Sequence, residues 1–276
     1  VDITGAAVIT SGAIQHYSVG TISSVLNLII TTESRDTPLK WAGTGNVATL
    51  GGTPPVGKFN IEFFGYTFIF NTSANPDQGF FSEAFNAESW TTGIDFLRFG
   101  PEEVNAVVIQ GVQMIVFTRS TIWIVSFTGD SIVPFTKDRI NFSVGCESSK
   151  GVINVDGIIF YCGTDGHIYK MLPNSRPENI SEFKIPTIIR DDINRSRITN
   201  VQAVLNQERN EIWFSYAKAG SNFENLIIAV NRLTGAFYRH DNIEVSAAVS
   251  IVDSSGVFQL FTADTVGWIF KQNSGD

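Results

Sequence analysis

The residues of this chain best suited to chemistry are few and scattered. Three histidines, His16, His167 and His240, lie on different blades with no partner at i+2 or i+4, so a metal site is not expected. Carboxylates that could converge in a hydrolase are Glu62, Asp95, Glu102, Glu103, Asp156 and Glu211. Glycoside hydrolysis needs two such groups about 5–10 Å apart across the scissile bond. None of the six recurs in a pattern that demands this, and Glu102-Glu103 in FGPEEVN reads as a solvated connection before a strand. The turn Ser73–Gly79 carries Ser and Asp, but at the wrong spacing for a sialidase-type turn and without its Thr-Trp. Catalytic, cofactor and metal residues are therefore expected to be absent. The two cysteines are Cys146 and Cys162; Cys162 takes the strand position of Phe70 and Val116 in parallel segments, which favours a buried thiol over a disulfide.

The elements that carry these residues follow a repeat. In NAVVIQGVQMIVFTRSTIWIVSFT, Ala106–Ile109, Met114–Phe117 and Ile122–Val125 read as three strands separated by turns at Gly111 and Arg119-Ser120. Gly65 lies 46 residues before Gly111 and Gly157 lies 46 after it, with Thr72, Thr118 and Thr164 each seven residues further on. Asn210 and Gly256 repeat the 46-residue step, and Gly20 precedes Gly65 by 45. A period of about 40–50 residues built from four short strands is the mark of a β-propeller blade, because each sheet can bury its two faces only against the next copy.

The expected fold is thus all-β, a six-bladed propeller of four-stranded antiparallel blades in one domain, with blades near 11–57, 58–104, 105–147, 148–198, 199–244 and 245–276. The last blade offers three strands, and residues 6–10 could supply its fourth. Between Gly157 and Asn210 the step is 53 residues, and Ile185, Ile188, Ile189 and Ile193 fall at helical spacing, so one short helix is expected near 185–196. The chain opens on Val1 rather than Met and stops at NSGD, from which excision out of a longer protein is expected.

Composition narrows the partners. The 276 residues carry a net charge of −8, which argues against sequence-specific DNA binding, since that needs Lys and Arg at the phosphates. The basic group Arg190, Arg195 and Arg197 is interrupted by Asp191 and Asp192 and reads as a solvated face. No apolar run approaches the ~20 residues of a membrane span. Of the tryptophans, Trp123, Trp213 and Trp268 read as packing between blades. Trp90, in the polar NAESWTTG, is a partner contact or a local cap. Together with Asn75, Asp77 and Asn86 it marks the loops where a partner contact is expected. The sequons at Asn71, Asn141, Asn179 and Asn194 carry no weight if the protein is made in bacterial cytoplasm.

The wording of the repeats also resembles a family. FFSEAFNAESWTTGIDFLRFG, VIQGVQMIVFTRSTIWIV, GCESSKGVINVDGIIFYCGTDGHIYKM, ISEFKIPTIIRDDIN and NEIWFSY are similar to the propeller of tail nozzle or tail hub (DNA-stabilisation) proteins of short-tailed bacteriophages. The matching positions include Ser82, Trp90, Gly100, Gly111, Ile122-Trp123, Gly145-Cys146, Asp156-Gly157, Asp165-Gly166 and Asn210-Glu211, and span about 75 to 220. The resemblance implies a non-enzymatic structural role in the virion tail. Copies of the chain would form a ring with tail or portal/adaptor proteins, close to packaged DNA without binding it specifically. The alternatives kept open are a module binding host-surface glycan or protein through its blade loops, and a propeller glycoside hydrolase.

Overall fold

A computed structural model describes residues 9–10, 14–91, 95–140 and 142–272. Among these residues twenty-three strands form six antiparallel sheets, each a meander in which chain neighbours pair. This is the six-bladed β-propeller that the 46-residue period predicts. The sheets are β1 (His16–Ile22), β2 (Val25–Thr31), β3 (Leu39–Trp41) and β4 (Ala48–Thr49); β5 (Gly57–Phe63), β6 (Tyr66–Thr72), β7 (Gln78–Phe81) and β8 (Phe96–Arg98); and β9 (Val104–Gln110), β10 (Gln113–Thr118), β11 (Ile122–Phe127) and β12 (Phe135–Ile140). They continue with β13 (Val152–Val155), β14 (Ile158–Cys162), β15 (Ile168–Met171) and β16 (Glu178–Asn179); β17 (Gln202–Asn206), β18 (Glu211–Ala217), β19 (Glu224–Asn231) and β20 (Phe237–Asp241); and β21 (Ala247–Val252), β22 (Phe258–Ala263) and β23 (Ile269–Lys271).

The sixth sheet has three strands among the described residues. Of the segment 6–10 expected to complete it, only Ile9 and Thr10 are described. They belong to no strand: Ile9 packs beside Ile30 and Leu39 of the first sheet, and Thr10 donates to the Asp36 carboxylate from its N–H (2.9 Å) and its hydroxyl (2.6 Å).

Contacts divide the chain into two compact units. One runs through Thr118 and includes Trp123–Asp138; the other takes Arg119–Ile122 and everything from Arg139. The core of the first unit is aromatic. Phe59, Phe63, Phe68, Phe70, Phe81, Phe99 and Phe135 are buried together with Met114, Val116 and Val125. Phe135 meets Phe68 edge-on at 4.9 Å between centroids and Phe81 at 5.2 Å, the quadrupole-favoured arrangement. Alternation along the strands sends these rings to one side of each sheet.

The core of the second unit is mostly aliphatic: Ile168, Ile212, Leu226, Ile228 and Val230 surround Phe160, Phe214 and Tyr216, and the insertion supplies Ile185, Ile189, Ile193 and Ile198 to it. The expected helix of two or three turns is not continuous. Ile188–Asp192 form a single π-helical turn, Ile193 is extended and bridges to Lys218, and Arg195–Asn200 form a 3-10 turn capped by the Asn194 side chain. The isoleucine spacing reports burial correctly. The backbone breaks because Asn194 and Asp192 are held by the last residue of β18 and the turn after it, through Asn194 N–H to Ala217 C=O and Ala219 N–H to Asp192 C=O, both 2.8 Å.

Candidate functional site

Of the four residues expected to meet a partner, Asp77 is buried and Asn75, Asn86 and Trp90 are half-buried, each within an exposed loop. In the β6–β7 turn, Asn75 N–H donates to the carbonyl and hydroxyl oxygens of Thr72. Asp77 is buried; its carboxylate accepts from Arg98 Nε at 2.5 Å and its carbonyl accepts from Phe99 N–H at 2.8 Å. In the loop after β7, the Asn86 side chain accepts from Glu88 N–H, and Trp90 Nε1–H donates to Ala87 C=O at 2.8 Å. Trp90 is thus a local cap. Asn75 and Asp77 share one turn, and Asn86 and Trp90 share another.

Five of the six carboxylates have partners of their own, and Asp95 is engaged through its backbone. Glu62 accepts from Gly65 N–H, Glu102 from the Thr118 hydroxyl at 2.6 Å, and Glu103 from the Asn71 amide at 3.3 Å. Asp156 pairs with Arg232, Glu211 accepts from Trp213 Nε1–H at 2.9 Å, and Asp95 uses its carbonyl to accept from Phe81 N–H. Among the described residues no cluster of three His, Cys, Asp or Glu could hold a metal. His16 packs against Phe59, His167 Nδ1 sits 2.9 Å from the Ser181 hydroxyl, and His240 lies over Trp213.

Both cysteines are free and fully buried. Loss of hydration pushes the Cys146 thiol up to about 12 and moves Cys162 in the same direction, so neither offers a thiolate at neutral pH. Asn71 is buried and its amide donates to Val104 C=O, while Asn179 and Asn194 cap turns; Asn141 lies outside the described residues. Arg190 pairs with Asp191, as the interrupted charge run suggests, and Asp192 pairs with Arg239. Trp123 and Trp213 pack as expected. Trp268 does not: it is 68% exposed in a turn whose Asp264 carboxylate accepts the N–H groups of Val266, Gly267 and Trp268, which fixes the backbone without covering the ring.

Two residues escaped the reading of chemistry-bearing types. Phe64, in the β5–β6 turn, and Phe85, in the loop after β7, have φ of +52° and +58°, and are 42% and 65% exposed. The left-handed conformation costs about 1–2 kcal/mol for a residue with a Cβ. The other nine non-glycine residues with positive φ among those described are Ser, Glu, Asn or Asp. The only sequence signal was Phe64 in a Phe-Gly turn where the third copy has Asp156-Gly157.

No protein-family profile matches the chain, and no curated protein sequence matches it. Solved structures do. The extracellular domain of BT4673 from B. thetaiotaomicron aligns over 100% of this chain and 34% of its own, with a TM-score of 0.57 and 11% identity. A candidate 6-phosphogluconolactonase from Bacteroides uniformis aligns over 93% and 83%, with a TM-score of 0.55 and 11% identity. Hsv2 from Kluyveromyces lactis aligns over 91% and 70%, with a TM-score of 0.51 and 10% identity. The chain spans about a third of the length of the BT4673 domain. At these identities the likeness extends to the fold alone.

Proposed function

We propose that this chain is a non-enzymatic propeller scaffold, and that the assembly it serves is a bacteriophage tail. The observation that carries the scaffold reading is the disposition of the polar groups: the carboxylates of Glu62, Glu102, Glu103, Asp156 and Glu211 each engage a partner of their own, as in Glu211 with Trp213, Glu102 with Thr118 and Asp156 with Arg232 of another sheet. Carboxylates engaged in this way brace the sheets and their connections. The tail assignment rests on the resemblance of the 75–220 wording to nozzle and hub propellers. Rigid blades would stand in symmetry-related copies around the DNA path, next to tail or portal/adaptor proteins. The net charge of −8 would keep packaged DNA from adhering during ejection.

Electron cryomicroscopy of the particle or tail that contains the chain tests this. Copies around the tail axis, with density for neighbouring tail proteins, are the expected result; a position at a fibre tip, or on no particle, refutes the tail assignment. A strongly positive channel wall would refute the lubricating role alone. Release of reducing sugar by the purified protein, abolished by Asp95→Asn or Glu103→Gln, would replace the scaffold reading with a hydrolase.

A further inference from the structure

We infer that Phe64, Phe85 and the adjoining carboxylates form a docking site for arginine side chains of a basic protein segment. The inference is independent of the tail assignment. Phe85 lies across Gly65: a Cβ built on that glycine would stand 2.7 Å from Phe85 Cε1 and 2.9 Å from Cδ1 and Cζ, and Phe85 N–H donates to Gly65 C=O at 2.7 Å. One side of the Phe85 ring therefore rests on the turn, and the ring is 65% exposed. Phe64 stacks on Phe127, with centroids 4.7 Å apart and planes 16° from parallel, and is edge-on to Phe63 at 4.9 Å. Both rings are fixed in place before any partner arrives.

The backbone shows that this presentation is not the local optimum. Phe64-Gly65 has φ of +52° and +82°, and Asp156-Gly157 makes the corresponding turn in a later copy with φ of +52° and +81°. Asp or Asn suits such a turn because a short polar side chain tolerates the left-handed region. A bulky aromatic residue held there, twice and around one glycine, points to a function for the exposed ring.

Charge selects the occupant. Glu62 approaches the turn from β5 and accepts from Gly65 N–H, and exposed Glu83 begins the loop that carries Phe85. The aromatic face carries the negative lobe of its quadrupole, so rings and carboxylates together attract a cation, and a planar guanidinium can stack on a ring while donating to a carboxylate. The chain already makes such contacts internally, with Lys137 Nζ 4.8 Å from the centroid of Trp123 and Lys184 Nζ 5.5 Å from that of Phe237. No cation lies over Phe64 or Phe85 among the described residues. The net charge of −8 draws a basic partner toward the surface in general, and the rings give that attraction a location.

The test is an NMR titration of the full chain carrying ring-13C phenylalanine, with Phe64 and Phe85 signals assigned through Phe64→Asn and Phe85→Ala. The probes are acetyl-Gly-Arg-Gly-Arg-Gly-amide, the same peptide with citrulline for arginine, and maltotetraose. The expected result is movement of both ring signals with the arginine peptide, at least tenfold weaker binding of the citrulline peptide, and at least tenfold loss in the double variant. Phe64→Asn exchanges the stacking on Phe127 for a residue that suits the turn, so the melting temperature of each variant is measured with the titration, and loss of binding by a variant still folded at the titration temperature is not loss of fold. Silent rings, an equal response to citrulline, or undiminished binding by the double variant would overturn the inference. Ring shifts with maltotetraose instead would make the platform a saccharide site and refute the cationic occupant.

Discussion

Gly79 has no room for a side chain: a Cβ there would stand 2.2 Å from Cε1 of Phe70, a fully buried ring stacked between Phe59 and Phe68. Gly79→Ala should therefore cost about 1–3 kcal/mol through overpacking, read as a lower urea midpoint at unchanged slope. An unchanged midpoint would mean that Phe70 can swing aside. Burial makes a different prediction for the thiols. Cys146 and Cys162 should resist a thiol reagent in native buffer and react at the rate of unfolding; stoichiometric labelling within seconds would contradict their enclosure.

The insertion between β16 and β17 illustrates how an element can be read for burial and misread for geometry. Ile189 is buried in the aliphatic core of the second unit, so Ile189→Ala should lower stability by about 2–5 kcal/mol. A loss below 1 kcal/mol would show that the insertion merely covers the sheets. Its edge is tied down by ions: Arg239 pairs with Asp192 and Asp241, and Lys218 pairs with Asp241 at 2.7 Å. Hydrogen bonds from Arg239 and then Lys218 hold the Asp241 carboxyl at about 2, below its ordinary 3.8. Because the folded value is the lower one, the contribution is present above pH 3.8 and is lost as pH falls through about 2. Arg239 and Asp241 are 36% and 39% exposed, so Arg239→Ala should cost only about 0.5–1 kcal/mol at neutral pH. That difference should shrink as pH falls from 3.8 and be gone below about 2; a constant difference would assign it to packing by the arginine stem.

For the molecule as a whole, the alkaline limb of stability should be steeper than the surface charges alone would give. The Cys146 thiol lies near 12 in the folded chain against 9.0 when unperturbed, and burial shifts Cys162 and Tyr216 in the same direction. Above pH 9 the unfolded chain releases protons that the native chain keeps, so each such thiol lowers stability by up to about 1.4 kcal/mol per pH unit until its folded value is reached. Chemical denaturation between pH 8 and 11 measures this slope, and Cys146→Ala should flatten it.

The 46-residue glycine step, the alternation of Val, Ile and Phe, and the turn signals determined by themselves that the chain makes six antiparallel sheets, because strand pairing and sheet burial are imposed by local period and composition. The isoleucines of the insertion and the buried cysteines were legible for the same reason. What only the tertiary structure decided were properties that depend on neighbours distant in sequence. Asp77 and Trp90 look like loop residues, yet one is buried against Arg98 and the other caps Ala87. Trp268 sits at a packing position of the repeat but remains exposed. Phe64 and Phe85 are two of 22 phenylalanines with no sequence feature to single them out, and only the fold shows them exposed with left-handed φ, one of them lying across a glycine. Strand period fixes which face of a sheet a residue occupies; only the packing of other segments against that face decides whether it is covered.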